Sequence, residues 1–161
     1  MNGGARSKAP DDDASAVIDD SPAARVGRAR CEFHETYPAV AKSVGAVRSG
    51  LARFAKAVGL PAATRDAVAL AASEAATNVV VHAYRETGRE GTIEVTAAVA
   101  ADELWVIVTD TGHGLRPRPD SPGLGLGLAI IAQLADGVDL ARPAAGGLEL
   151  RMRFAIGGAQ R

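Results

Sequence analysis

Apolar and polar residues alternate from Cys31 to Tyr37, with Cys31, Phe33 and Tyr37 on one side and Glu32, His34 and Thr36 on the other, which predicts a strand. Beyond Pro38 the spacing changes to that of a helix, with Val40, Val44, Val47, Leu51, Phe54 and Val58 on one face. Gly59 and Pro61 stop that helix and start another, which the pattern carries to about Tyr84, before Gly88 and Gly91 break it. Alternation returns at Ile93, Val95, Ala97 and Val99, and a turn at Ala101-Asp102-Glu103 predicts a hairpin. Leu104 to Val108 is continuously apolar, as expected of a central strand covered on both faces or tightly packed, and it ends on Thr109-Asp110. A Gly- and Pro-rich stretch from Thr111 to Gly123 leads to a helix of about Leu124 to Ala135, then to closing strands at Val138 to Ala141 and Leu148 to Phe154. This order favours an α+β two-layer sandwich, with helices on one face of a mostly antiparallel sheet.

Composition narrows the reading. At 161 residues the sequence is long enough for one core and too short for two ordinary domains, so one domain is expected. Residues 1–29 are rich in Gly, Ala, Ser, Pro and Asp without apolar periodicity, and read as a disordered tail. The expected domain is 30–156, followed by a flexible C-terminus at 157–161. A formal net charge of -1 leaves no basic footprint for nucleic acid. Apolar runs fall far short of the ~20 residues needed to span a membrane, and the N-terminus lacks the apolar core of an export signal, so the expected location is cytoplasmic. Cys31 is the only cysteine, which excludes an internal disulfide and a cysteine-based zinc site.

Polar chemistry concentrates in three stretches. Glu74, Asn78 and His82 are spaced four residues apart and project from one face of the second helix. Either the stripe is simply the solvated face or, since the flanking residues are small and apolar, these groups sit on a largely buried helix and need a polar cavity or a bound partner. Asp110-Thr111-Gly112-His113-Gly114 follows the central strand: its carboxylate can accept from an exocyclic amine, and its glycines admit a flat ligand close to the main chain. Gly123-Leu124-Gly125-Leu126-Gly127 opens a helix, where free amides and the positive end of the dipole favour an anion. Neither a Walker loop nor a Rossmann fingerprint is present.

Taken in order, the three stretches resemble the GHKL (Bergerat-fold) ATPases, over about residues 31–156. Glu74 to Asn78 looks like their N box, Asp110 to Gly114 like their first glycine box, and Gly123 to Gly127 like their second. The stretch Ser73-Glu74-Ala75-Ala76-Thr77-Asn78 leading into His82-Ala83-Tyr84 is similar to the anti-sigma-factor serine/threonine kinase branch. The resemblance implies ATP and a magnesium ion as cofactors, with Asn78 as the magnesium ligand and Asp110 holding the adenine amino group. Gly112 and Gly114 would shape the adenine pocket, the amides of Gly123, Leu124, Gly125, Leu126 and Gly127 would meet the phosphates, and Glu74 would act as general base. His82 would either reach the phosphate region or cap the helix. The implied partners are a sigma factor and an anti-sigma-antagonist protein, with a homodimer formed through the first strand and helix. Two departures bear on activity: Leu148 stands where relatives commonly have Thr, and Pro117, Pro119 and Pro122 stiffen the loop before Gly123. They keep open a second reading, a nucleotide-gated binding protein without phosphoryl transfer, and a third, a sensor-kinase-like fragment that docks to another chain.

Overall fold

The computed structural model describes residues 31–84, 91–100, 102–112, 124–144 and 146–156, without the side chains of Cys31 and Leu124. Five strands form the sheet: β1 (Cys31–Pro38), β2 (Thr92–Ala100), β3 (Glu103–Asp110), β4 (Gly137–Ala141) and β5 (Leu148–Ala155). Their order is β1-β2-β3-β5-β4, and every described pairing is antiparallel. The expected tail and C-terminus lie outside the described residues, as do Gly114 and Gly123.

Three α-helices cover one face: α1 (Ala41–Ala57), α2 (Ala62–Asn78) and α3 (Leu124–Leu134). The apolar face read from α1 is buried at Val47, Leu51 and Phe54, and Phe54 packs on Phe33 of β1 with ring centroids 5.8 Å apart. α2 lies between α1 and α3. Its buried residues are mostly alanines, whose small side chains allow both neighbours to approach closely. Beneath the helices sit Ile93, Val95, Leu104, Val106, Met152 and Phe154. Fully burying one such large side chain contributes about 1.5–3 kcal/mol, which makes this layer the main source of stability.

The second helix changes character where the pattern showed it continuing. It is α-helical to Asn78 and then forms a π-helical turn over Val79–Ala83. Three successive valines, stiff at χ1 and poor helix formers, occupy that turn. Tyr84 follows, and its hydroxyl accepts the amides of Thr92 (3.2 Å) and Thr111 (3.0 Å) and donates to the Thr92 carbonyl (2.9 Å). One side chain thereby ties the end of the helix to the start of β2 and the end of β3.

The opposite face of the sheet is polar. His34 Nδ1 lies 3.0 Å from Thr96 Oγ1, Arg153 donates to Glu103 at 2.7 Å, and Arg151 pairs with Glu149. Half-exposed pairs of this kind add no more than about 1 kcal/mol each. Trp105 and Ala98 share this face, and both are buried.

Candidate functional site

A cleft of about 320 Å³, open to solvent, lies between the C-terminal end of α2 and the ends of β3 and β5. Its apolar walls include Val79, Val108, Leu148 and Leu150, and its polar groups are Asn78 and Asp110.

Asp110 ends β3 at one side of the cleft and is only 3% exposed. Its Oδ1 accepts the Gly112 amide at 2.8 Å. Burial pushes its carboxyl above the usual carboxylate range, while the amides of Gly112 and Leu148 pull it back. Two glycines make this geometry possible. A Cβ on Gly112 would overlap the Ala83 carbonyl, and Gly147, at φ +84°, lies so close to the Asp110 carbonyl that a Cβ there would overlap it too. The loop before β5 and the turn after β3 are thus pressed together around one carboxylate.

Asn78 stands at the other side, on the last turn of α2, and is 8% exposed. Its Nδ2 is buried without an acceptor among the described residues, an arrangement that calls for a ligand group. The first turns of α3 lie directly against it. A Cβ built on Gly127 would sit 3.1 Å from Asn78 Oδ1, 3.3 Å from Asn78 Nδ2 and 3.4 Å from Glu74 Oε2. Glu74 and Asn78 therefore share one face of α2, as their spacing predicted, and that face meets the positive end of α3. Such a place suits an anion, with a carboxylate and a carboxamide alongside it.

No group of three or more His, Cys, Asp or Glu side chains among the described residues could hold a metal ion. A lone carboxamide oxygen fits magnesium better than a protein-built cage does, since magnesium keeps waters and phosphate oxygens as its other ligands.

The remaining expected residues fall as follows. Leu124 and Gly125 open α3, and Leu126 is well exposed beside them. His82 lies half-exposed in the π-helical turn and is not one of the residues that line the cleft. Sequence reasoning missed Val79, Ala83, Val108 and Leu150 as cleft walls, because their type marks them only as core. The Tyr84 network was also missed; a tyrosine placed just before a glycine-bounded strand was the available clue.

The model of the family described as histidine kinase-like ATPase domain matches residues 37–154. A serine-protein kinase RsbW of Halalkalibacterium halodurans is 32% identical over 120 residues, covering 65% of this chain and 72% of that one. An anti-sigma F factor of Clostridium botulinum is 28% identical over 97 residues, covering 53% of this chain and 67% of its own length. The crystal structure of RsbU and RsbW domains from Mycobacterium tuberculosis matches 81% of this chain and 34% of its own, with a TM-score of 0.63 and 23% identity, a likeness of fold. The α+β architecture, the cleft between α2, β3 and β5, and a match over most of the described residues agree: the chain belongs to the histidine kinase-like ATPase domain family.

Proposed function

We propose that this chain is an ATP-dependent protein serine/threonine kinase of the anti-sigma-factor type, which binds a sigma factor and phosphorylates an anti-sigma-antagonist protein, and which works as a homodimer in the cytoplasm. The observation that carries this reading is the meeting of Glu74, Asn78 and Gly127 at the start of α3, at one side of the cleft that Asp110 bounds at the other. In this reading a purine lies between the apolar walls, with its amino group donating to the buried carboxylate of Asp110. Guanine would set a carbonyl oxygen against that carboxylate, so the site rejects it by facing two acceptors. The triphosphate then runs toward the amides of α3. Asn78 would supply an oxygen to magnesium, and its NH₂ group would donate to a phosphate oxygen. Magnesium, when bound, neutralises charge on the phosphates.

Glu74 is half-buried and lies next to the same helix start. It accepts the proton of a partner's serine or threonine hydroxyl as that oxygen attacks the terminal phosphorus and ADP leaves. The acceptor hydroxyl belongs to the partner, and the similarity to a serine-protein kinase RsbW and an anti-sigma F factor supports that choice of partner class.

The experiment is incubation with magnesium, terminally labelled ATP and a candidate antagonist protein. Label should pass to the antagonist, and Glu74→Ala should abolish the transfer while ATP binding persists. Transfer by Glu74→Ala at the native rate would remove Glu74 from this role.

Leu148 favours a second reading. It presents an apolar side chain beside Asp110 where a hydroxyl would help to hold adenine, which suits a nucleotide-gated binding protein with little transfer. Capture of the partner in the presence of ATP without any labelling would select that reading.

A further inference from the structure

The sheet face turned away from the helices holds an aromatic residue that the cleft does not use. Side chains alternate along β3, so Leu104, Val106 and Val108 enter the core while Trp105, Ile107 and Thr109 point the other way. Trp105 is nevertheless only 6% exposed, and Ala98, its partner across β2, is 0% exposed. Neither belongs to the apolar cluster that the helices cover.

Trp105 has one cross-strand neighbour on each side. On one side is the methyl group of Ala98; on the other is Arg153, whose guanidinium turns to Glu103 at 2.7 Å and to the Asp136 carbonyl at 3.2 Å. The indole Nε1 is closed off from water and has no acceptor among the described residues. The continuous apolar run Leu104 to Val108 agrees, since such a run is expected of a strand covered on both faces or tightly packed.

The register shows which part of the chain lies near. Ala98 pairs with Glu32 on its other side, so the row that contains Trp105 reaches β1 one residue after that strand begins. Trp105 is two strands from β1, about 10 Å at a strand spacing of ~4.8 Å. Before Cys31 the sequence has 30 further residues, and in them Val17 and Ile18 are the only adjacent pair of β-branched apolar residues. The stretch from Ile18 to Cys31, at ~3.3 Å per extended residue, spans that distance several times over.

We propose that the segment around Val17 and Ile18 of this same chain docks on the outer face of the sheet over Trp105, laying its apolar side chains on the indole ring and offering a backbone carbonyl to Nε1–H. This forms a local third layer over the centre of the sheet, on the face opposite the nucleotide cleft. It does not depend on nucleotide binding, so the two readings fail separately.

The test uses the full chain and its sole tryptophan. Emission and acrylamide quenching of Trp105 are compared between the native chain and the Val17→Asp, Ile18→Asp double variant, with far-ultraviolet circular dichroism to verify the fold. The double variant should emit further to the red and quench several-fold more readily, at all protein concentrations. Should the aspartates unfold the chain, the milder Val17→Ser, Ile18→Ser variant gives the same comparison. Unchanged emission and quenching in a folded variant would overturn the proposal. So would native emission that reddens on dilution, because a second copy would then be the cover.

Discussion

Replacing Gly127 by alanine separates stability from nucleotide binding, because two opposed terms offset each other in the free protein while binding only loses. Gly127 lies inside α3 and is buried against Asn78 and Glu74. Alanine in a helix interior is better than glycine by about 1 kcal/mol. The new methyl carbon would lie 3.1 Å from Asn78 Oδ1 and 3.3 Å from Nδ2, closer than ordinary contact, so the carboxamide must shift by a few tenths of an ångström. Crowding of this sort costs roughly 1 kcal/mol at the low end of its range. The two terms nearly cancel, and the melting temperature of the free protein should stay within roughly 4 °C of native. Binding has no such compensation. The methyl group fills the space between the start of α3 and the two polar side chains, and displaces the amide whose NH₂ has no acceptor among the described residues. Loss of one hydrogen bond to a charged group is worth about 1.5–3 kcal/mol, or roughly ten- to more than a hundredfold in the dissociation constant of magnesium-ATP. Titration calorimetry on the native protein, Gly127→Ala, Asn78→Ala and the double variant reads this directly. The two losses should overlap in the double variant and not add, since both act through one amide. Native affinity in Gly127→Ala, or full additivity in the double variant, would refute the placement of the phosphates beside Asn78.

Asp110 should make nucleotide binding sensitive to mild acid. Its folded carboxyl sits above the ordinary value of 3.8 because burial disfavours the charge, so ATP affinity should fall as pH drops through that raised value, and Asp110→Asn should lack this step in a pH-resolved titration. For stability the sign is opposite: the native state binds more protons than the unfolded one between the two values. That contribution is fully present below about 3.8 and is lost as pH rises through the folded value, so denaturation midpoints of native and Asp110→Asn protein should diverge across this window. Tyr84→Phe removes a hydroxyl that satisfies two amides and a carbonyl, and should lower unfolding free energy by about 1–3 kcal/mol in a denaturant titration; no change would mean that water replaces it. Leu148→Thr should tighten ATP binding by up to roughly tenfold, the worth of one added hydrogen bond, and weaker binding would show that the apolar wall itself holds the base.

Every strand and α-helix described here was legible in the chain, though α2 not to its end, because side-chain direction follows from local geometry. A period of two marked β1 and β2, a period near 3.6 marked α1, and glycine or proline marked the ends. The same local rule placed Glu74 and Asn78 on one helix face before any fold was known. It had no means of extending α2 correctly past Asn78, since a π-helical turn differs from an α turn by a small rotation that side-chain spacing does not mark.

What only the tertiary structure decided was contact between distant segments. Sheet order β1-β2-β3-β5-β4 puts β5 beside β3, and that neighbourhood brings Leu148 and Gly147 to Asp110. Packing of α3 on α2 brings Gly127 to Asn78, and the sheet itself separates Trp105 from the cleft. The physical reason is that a residue's own type and spacing settle which way it points, whereas the group it meets depends on how the whole chain buries its apolar surface at once.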